Sequence, residues 1–335
     1  MNKEEFHGVV GPDPRLIRVT ATDAHEGLVY VGAEDALYYT TLPAPTPTPQ
    51  SDPPPVAIKR VALADEQFPL SPKHISVVRE PANMANGMTL DRQGRLVICE
   101  QGTWSEPARV ARMDLVTGKL ETLVSAWEGR DLNSPNDVVV QSDGTVWFTD
   151  PTYGYLQGFR PKPQVGDHVY RLDPATRQLS VVADSLNKPN GLAFSPDEST
   201  LYIGDSGANQ EPGSFYADLP HHVRAFDVTE DGHLRNDRLF CVTNPGFPDG
   251  IKVDGRGRVY VSAFSGVQVF NVLGEMIGEI RLPGAVNFAF GGPTGNLLFI
   301  ATDDAIWAAA FSDTVSGRRE GGPPSGPGRG KVRDQ

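Results

Sequence analysis

Six side chains that carry oxygen ligands recur at the same phase of a repeated pattern along the chain. Each one precedes a strand-turn-strand segment rich in Val, Ile, Tyr and Phe. The six are Glu26, Asn86, Asn136, Asn190, Asp249 and Asn287. A repeat that puts such groups in equivalent places can gather them around one point. Carboxylate and amide oxygens are ligands that Ca²⁺ prefers, so the pattern predicts a metal site.

The same residues have an alternative interpretation as turns. Asn-Gly and Asp-Gly are common turn dipeptides, and Gly follows Asn86, Asn190 and Asp249 here. Recurrence at one phase weakens this alternative without removing it, because repeats also copy structural residues. No cysteine or histidine cluster accompanies the six positions. A dedicated site for a softer metal is therefore disfavoured, although Mg²⁺, Mn²⁺ or Zn²⁺ could bind in vitro.

The elements that must position these side chains are short β-strands. The segments recur at intervals of about 40 to 60 residues, with about four strands in each unit, which is typical of a β-propeller. Turns such as DRQG, QSDG and DGRG supply the Asp and Gly residues that hairpins need. The sequence predicts an all-β, six-bladed β-propeller with no helix longer than a turn or two.

Ring closure is predicted from the ends of the repeat. The last unit is short, and residues 15–22 (RLIRVTAT) look like the outer strands of the other units. The N-terminal segment is therefore expected to complete the last blade and pair its open edge. Residues 1–311 are expected to form one domain, with the proline-rich residues 43–55 as a surface loop. The Gly-, Pro- and charge-rich tail, residues 312–335, is expected to be disordered.

Composition excludes several classes of function. The formal net charge is −12 and the pI is near 5.0, so nucleic acid is an unfavourable partner. No apolar run approaches the roughly 20 residues that cross a bilayer, and the N-terminus lacks the apolar region of a signal peptide. Cys99 and Cys241 lie in apparent strands and are expected to be buried free thiols. These features favour a cytoplasmic protein.

Several segments resemble one known family. They are SPNDVVVQSDGTVWFTDPTYGY, KPNGLAFSPDESTLYIGD and FPDGIKVDGRGRVYVSA, together with Glu26-Gly27 and the strands after it. The chain is similar to the gluconolactonase/regucalcin (senescence marker protein) family over most of residues 20–305, and the SPND–FTDP–YG block resembles the gluconolactonase branch. The resemblance implies a six-bladed propeller that holds a divalent cation, usually Ca²⁺, and hydrolyses lactones.

The resemblance also implies roles for individual residues. Glu26, Asn190 and Asp249 match the metal ligands of the family, and Asn136 matches a position that binds either metal or substrate. Asn86 is expected to contact substrate. Asn287 falls where some relatives have a histidine, and it is assigned to substrate binding with Tyr153, which lies on a loop beside the mouth. The expected metal ligands are therefore Glu26, Asn136, Asn190 and Asp249. The expected substrate contacts are Asn86, Asn136, Tyr153 and Asn287.

The implied reaction is metal-assisted opening of a small-molecule lactone, with Asp249 as the candidate general base. A phosphotriester hydrolase of the same fold is one alternative. A non-catalytic propeller with a structural cation, which binds a ligand or a protein, is another. Glu100, Asp150 and Asp205 end the second strands of three units. Asp150 and Asp205 could form an outer shell of the site, but they are expected instead to accept backbone hydrogen bonds in the turns that follow.

Overall fold

Six four-stranded antiparallel sheets are arranged as the blades of a β-propeller. The computed structural model describes residues 3–10, 15–46, 48, 50–63 and 67–311. The predicted disordered tail, residues 312–335, lies outside the described residues. Each blade runs from its innermost strand to its outermost strand in chain order, except the last blade, which the N-terminal strand completes.

The first three blades are built from consecutive strands, with a two-stranded ribbon between the second and third blades. Their strands, listed by blade, are β2 (Ala24–Val31), β3 (Ala36–Thr41), β4 (Ile58–Ala62) and β5 (Ile75–Arg79); β6 (Ala85–Leu90), β7 (Leu96–Glu100), β8 (Arg109–Met113) and β9 (Leu120–Val124); the ribbon β10 (Ala126–Trp127) and β11 (Arg130–Asp131); and β12 (Val138–Val140), β13 (Val146–Asp150), β14 (His168–Asp173) and β15 (Gln178–Ala183).

The other three blades follow the same plan, and the sixth one closes the ring. Their strands are β16 (Pro189–Phe194), β17 (Thr200–Asp205), β18 (His222–Val228) and β19 (Leu234–Val242); β20 (Ile251–Val253), β21 (Val259–Ala263), β22 (Gly266–Phe270) and β23 (Met276–Arg281); and β24 (Phe288–Gly291), β25 (Leu297–Ala301), β26 (Ala305–Ala310) and β1 (Leu16–Ala21).

The predicted ring closure is confirmed. Strand β1 pairs antiparallel with β26, with Leu16 opposite Ala309 and Ala21 opposite Ala305. This pairing supplies the sixth blade with the outer strand that its own segment lacks, and it covers an edge that would otherwise have unpaired backbone groups. The described part of the proline-rich segment between β3 and β4 forms a loop without strands, as predicted.

The hydrophobic core lies between blades. Each of six main apolar clusters joins residues of two neighbouring sheets, as where Val29 and Ile58 of the first blade meet Met88 and Ile98 of the second. Inner strands such as β7 are therefore buried on both faces, which explains their continuous apolar runs, whereas the outer strand β9 has no fully buried residue. Packing between blades fixes their relative positions and hence the geometry of the channel.

Helices are few among the described residues. Helix α1 (Lys3–Val10) was not identified from the sequence; its Val9 and Val10 are buried, and Phe6 packs against the same cluster between the fifth and sixth blades. Helix α2 (Tyr153–Leu156) is a single turn in the loop after β13, and a 3₁₀ turn spans Pro72–His74. No helix in the described part of the chain is long and apolar enough to cross a membrane.

Candidate active site

The structure places all six recurring residues at one end of the central channel, called here the mouth. Three of them lie among the first three residues of innermost strands, namely Glu26 in β2, Asn86 in β6 and Asn190 in β16. The other three come one or two residues before such strands: Asn136 before β12, Asp249 before β20 and Asn287 before β24. Five are buried, and Asp249 keeps partial exposure.

Glu26 is the centre of the contacts that cross the mouth. Its Oε2 atom accepts a hydrogen bond of 2.5 Å from Nδ2 of Asn287, which belongs to the neighbouring sixth blade. Its carboxyl group also lies close to the carboxyl group of Asp249 from the fifth blade, and that of Asp249 lies close to the amide of Asn190 from the fourth. Residues from four blades are thus joined in one network.

The two carboxyl groups are held where ionisation is unfavourable. Burial raises the pKa of Glu26 well above its ordinary value, and the charge of Asp249 raises it further. Burial also raises the pKa of Asp249 to about 7, although hydrogen bonds with Glu26 and Asn190 act in the opposite direction. Two carboxyl groups so placed retain a proton between them near neutral pH unless a positive charge compensates them.

Asn86 contributes an amide oxygen that is not satisfied by the described residues. The residue is 7% exposed, and its Oδ1 atom has no hydrogen-bond partner among them. Leaving a buried acceptor unpaired costs roughly 1–3 kcal/mol, so this atom is suited to a bound ion, water or substrate. Beside it, the backbone N–H of Gly87 donates to the carbonyl of Asn136 at 2.7 Å, which ties the second blade to the third.

These donors fit a divalent cation that prefers oxygen. The described residues contain no cluster of three or more His, Cys, Asp or Glu side chains of the kind that holds a metal by itself. An ion at the mouth would therefore combine the two carboxylates with amide oxygens, a hard donor set that suits Ca²⁺ better than thiolate-binding metals. The unpaired Asn86 oxygen and the paired acidic groups favour such an ion.

The glycines after the recurring residues do not form turns, so the interpretation of these dipeptides as turns was wrong. Gly27 and Gly191 lie inside innermost strands. These positions are glycine because the backbone of the next blade approaches them closely. A Cβ atom at Gly191 would lie 2.1 Å from the carbonyl oxygen of Asp249, and one at Gly27 would lie 2.4 Å from that of Asn86. Gly27 also has a φ of 59°, which favours glycine.

Hydroxyl groups on the second strands fix the backbone of the next blade. Thr40 donates to the carbonyl of Asn86 at 3.1 Å, and Thr149 donates to that of Asn190 at 2.9 Å. Ser262 donates to the carbonyl of Val286, next to Asn287, at 2.6 Å. These hydroxyls were not identified from the sequence, although each lies near the end of a second strand in its repeat. They set the spacing between neighbouring recurring residues.

Carboxylates at the ends of second strands hold the segments that enter the site. Asp150 accepts the backbone N–H groups of Asn133 and Ser134 at 2.9 and 2.8 Å. Asp205 accepts those of Asn187 and Lys188 at 3.0 and 2.9 Å. Backbone hydrogen bonding was predicted, but the main donors precede the innermost strand of the same blade instead of following the acid.

Glu100 differs from its two counterparts. Its fully buried carboxylate is paired with Arg79 and with Arg109 and accepts a hydrogen bond from the side chain of Asn83. Two cations, one at the end of β5 and one at the start of β8, therefore take the place of backbone donors. His25, which precedes Glu26, is bound through Nδ1 to Asp303 at 2.7 Å.

Tyr153 lies where the sequence analysis expected it, beside the site. It begins helix α2 and is buried, and its hydroxyl lies near Ser206 and Asn190. Burial and the negative charge of Asp249 raise the pKa of Tyr153, so its hydroxyl remains a hydrogen-bond donor. The backbone N–H of Gly154 donates to Oγ of Ser134 at 2.9 Å, which anchors the helix beside the third blade.

Arg160 joins the loops of the second and third blades above the channel. Its buried guanidinium donates to the carbonyl groups of Thr103 and Glu106 on one side, at 2.9 and 3.2 Å, and to those of Leu132 and Asn133 on the other, at 3.2 and 3.1 Å. No motif in the sequence identified this residue. Its contacts fix the wall of the site that carries Tyr153.

We expect Arg160→Met to lower the free energy of unfolding by about 3 kcal/mol, because four carbonyl groups lose a charged donor. Urea denaturation followed by circular dichroism measures the change. Arg130→Met is the control: Arg130 forms an exposed ion pair with Glu128, and its loss should cost less than about 1 kcal/mol. Equal stability of the two variants would contradict the structural role of Arg160.

A six-bladed propeller with paired acids and amides at one channel mouth defines the class of protein. A sequence model of the "SMP-30/Gluconolactonase/LRE-like region" matches residues 24–304. The chain therefore belongs to the SMP-30/gluconolactonase family.

Individual relatives agree with this membership. The chain is 34% identical over 233 residues to a gluconolactonase of Zymomonas mobilis, an alignment that covers 68% of the chain but only 63% of that enzyme. It is 28% identical to the lactonohydrolase oryL of Aspergillus oryzae, covering 92% of the chain and 71% of the relative. A solved gluconolactonase from Xanthomonas campestris is 32% identical, with a TM-score of 0.73 and 92% of each chain covered.

A more distant structure shares the fold. It is a calcium-binding protein, regucalcin, from Agrobacterium tumefaciens, with 16% identity, a TM-score of 0.65 and coverage of 92% of this chain and 96% of that one.

Proposed function

We propose that the chain is a lactonase that depends on a divalent cation, with Ca²⁺ as the favoured ion. The observation that carries this proposal is the close pair of acidic side chains, Glu26 and Asp249, flanked by Asn190 at the mouth of the propeller. The gluconolactonase and lactonohydrolase names of its relatives support lactone hydrolysis, and the calcium-binding relative supports the choice of ion.

Four residues would hold the cation: Glu26, Asn136, Asn190 and Asp249. When bound, such an ion polarises an ester carbonyl and stabilises the negative charge that develops on its oxygen. A positive charge between Glu26 and Asp249 would also keep both carboxyl groups ionised, which the metal-free site disfavours. In this assignment Asn86 and Asn287 do not bind the cation, and they would orient the substrate ring.

Asp249 is the residue placed to accept a proton. It is the one member of the six that keeps exposure to the channel, so a water molecule can approach it. A pKa of about 7 in the metal-free protein lies near the pH at which a general base is most useful, and a neighbouring cation would lower it. The protonated hydroxyl of Tyr153, near Asn190, can donate a hydrogen bond to a substrate oxygen.

A panel of lactones, assayed by pH-stat with and without a chelator, tests the proposal. We expect hydrolysis of at least one lactone in the presence of Ca²⁺, with a loss of about 100-fold or more on chelation and recovery when Ca²⁺ is restored. A parallel assay with a phosphotriester distinguishes the other hydrolase of this fold class. If neither substrate is hydrolysed with any divalent cation, the mouth binds a ligand without catalysis and the proposal is wrong.

The partner implied by this function is a small-molecule lactone. We also propose a cytoplasmic location, because Cys99 and Cys241 are buried free thiols, as expected of a protein in a reducing compartment. The net charge of −12 makes a nucleic-acid partner unfavourable.

A further inference from the structure

Three phenylalanine rings form a connected cluster at the mouth, called here the aromatic rim: Phe215, Phe247 and Phe264. The ring centroids of Phe247 and Phe264 are 5.2 Å apart, and those of Phe215 and Phe264 are 5.8 Å apart. Phe215 is 42% exposed and Phe264 is 46% exposed. The cluster therefore presents apolar ring surface to solvent instead of filling a core.

The aromatic rim lies on the same backbone segments as the candidate base. Phe247 lies two residues before Asp249, and Phe264 lies two residues after Ser262, whose carbonyl accepts the backbone N–H of Asp249 at 3.3 Å. The loop that carries Phe215 is tied to the same segment, because the hydroxyl of Ser206 donates to the carbonyl of Pro248. Two blades thus place their exposed rings on one side of Asp249.

The rim is held in position by the backbone below it. The N–H of Phe264 donates to the carbonyl of Pro245 at 3.2 Å. Gly246 has a φ of 102°, and a Cβ atom there would lie 2.6 Å from the ring of Phe264. The ring of Phe264 therefore rests on the backbone, so a ligand can bind to it without first ordering the side chain.

We propose that the aromatic rim binds an apolar substituent of the lactone, so that the preferred substrates are aryl- or alkyl-substituted lactones instead of polyhydroxylated sugar lactones. This inference rests on the proposed function. Phenyl rings offer no hydrogen-bond partners to the hydroxyl groups of a sugar, whereas they remove an apolar group from water. The site thus combines this apolar surface with the polar hydroxyl of Tyr153, which lies near Ser206 and Asn190.

Three lactones of equal ring size test the proposal with the Ca²⁺-loaded protein: δ-valerolactone, δ-phenyl-δ-valerolactone and glucono-δ-lactone. We expect kcat/KM for the phenyl-substituted lactone to exceed that for glucono-δ-lactone by about 10-fold or more, the usual effect of an apolar group in a matching pocket. Phe264→Ala and Phe215→Ala should each lower the ratio of kcat/KM for the phenyl-substituted to the unsubstituted lactone, by about 10-fold for Phe264→Ala.

Leu273→Ala is the matched control. Leu273 is 76% exposed in the hairpin between β22 and β23, at the end of the fifth blade away from the mouth, and its truncation should leave the ratio unchanged. If both phenylalanine variants keep the wild-type ratio while δ-valerolactone is hydrolysed, this inference is wrong and the proposed function stands. If no lactone is hydrolysed, both fail. An unchanged ratio with altered sedimentation would instead assign the rim to contact between copies of the chain.

Discussion

Asp249→Asn is expected to lower kcat for lactone hydrolysis by about 100-fold or more, within the range usual for loss of a general base. The amide has the shape of the carboxylate and can still bond to Asn190, but it cannot accept a proton from water. Because Asp249 lies between Glu26 and Asn190 in the network at the mouth, its replacement by an isosteric group should leave the fold intact. Initial rates at saturating Ca²⁺ measure the effect.

Asp231→Asn is the control for this variant. Asp231 is exposed in the hairpin after β18 and bonds within its own turn to Thr229, so its loss should change the rate by no more than about 2-fold. The circular dichroism spectra of both variants should match that of the wild type. Full activity in purified Asp249→Asn protein would rule out Asp249 as the base and leave its role, if any, to metal binding.

Glu26→Gln is expected to weaken binding of Ca²⁺ by about 100-fold, since charge count is a main determinant of Ca²⁺ affinity. The variant keeps an oxygen that can accept the hydrogen bond from Asn287, but it removes one of the two negative charges. At saturating Ca²⁺ most of kcat should return if Glu26 acts as a ligand and not as the base, as proposed. Isothermal titration calorimetry and activity as a function of Ca²⁺ concentration measure the two effects separately.

The pH dependence of the wild type provides a second readout for the same pair. In the metal-free fold the pKa of Asp249 is raised from 3.8 to about 7, so the folded protein holds more protons than the unfolded chain in that window. Its stability without Ca²⁺ should therefore fall as pH rises from about 4 to about 7. Binding of Ca²⁺ must release these protons, so affinity should rise over the same window.

Glu34→Gln controls for nonspecific loss of charge, because Glu34, in the turn between β2 and β3, pairs with Arg60 of β4. It should leave Ca²⁺ affinity unchanged. Identical affinity in Glu26→Gln and the wild type, or affinity that does not vary between pH 6 and pH 8, the range around the raised pKa, would exclude Glu26 and Asp249 as a paired ligand set.

The repeat determined much of the fold from the sequence. Alternating apolar strands with Asp- and Gly-rich turns predicted six blades, and the similarity of residues 15–22 to other outer strands predicted the closure by β1, which the pairing with β26 confirms. Such patterns are local, so they can be recognised without knowing which blades touch. Burial of both cysteines followed from their place in apolar strands and is also confirmed.

Contacts between blades could not be predicted in the same way. The glycine after Asn190 had a turn as its alternative interpretation, but it is required by the carbonyl of Asp249, which lies 58 positions further along the chain and approaches it across a blade boundary. Arg160 was missed because its four acceptors are backbone carbonyls, which leave no trace in side-chain identity. The hydroxyls of Thr40, Thr149 and Ser262 were missed for the same reason.

The sequence by itself determined which residues recur at the mouth and that they carry oxygen ligands, because equivalent positions in a propeller repeat occupy equivalent places around its axis. Their roles as ligands, base and substrate contacts remain predictions. Only the tertiary structure decided which of them meet: Glu26 meets Asn287 and Asp249, and Asn190 meets Asp249. It also left the Oδ1 atom of Asn86 without a hydrogen-bond partner among the described residues. Folding brings side chains of the first, fourth, fifth and sixth blades together at the mouth although they are distant in sequence, and burial there raises the pKa values of Glu26 and Asp249.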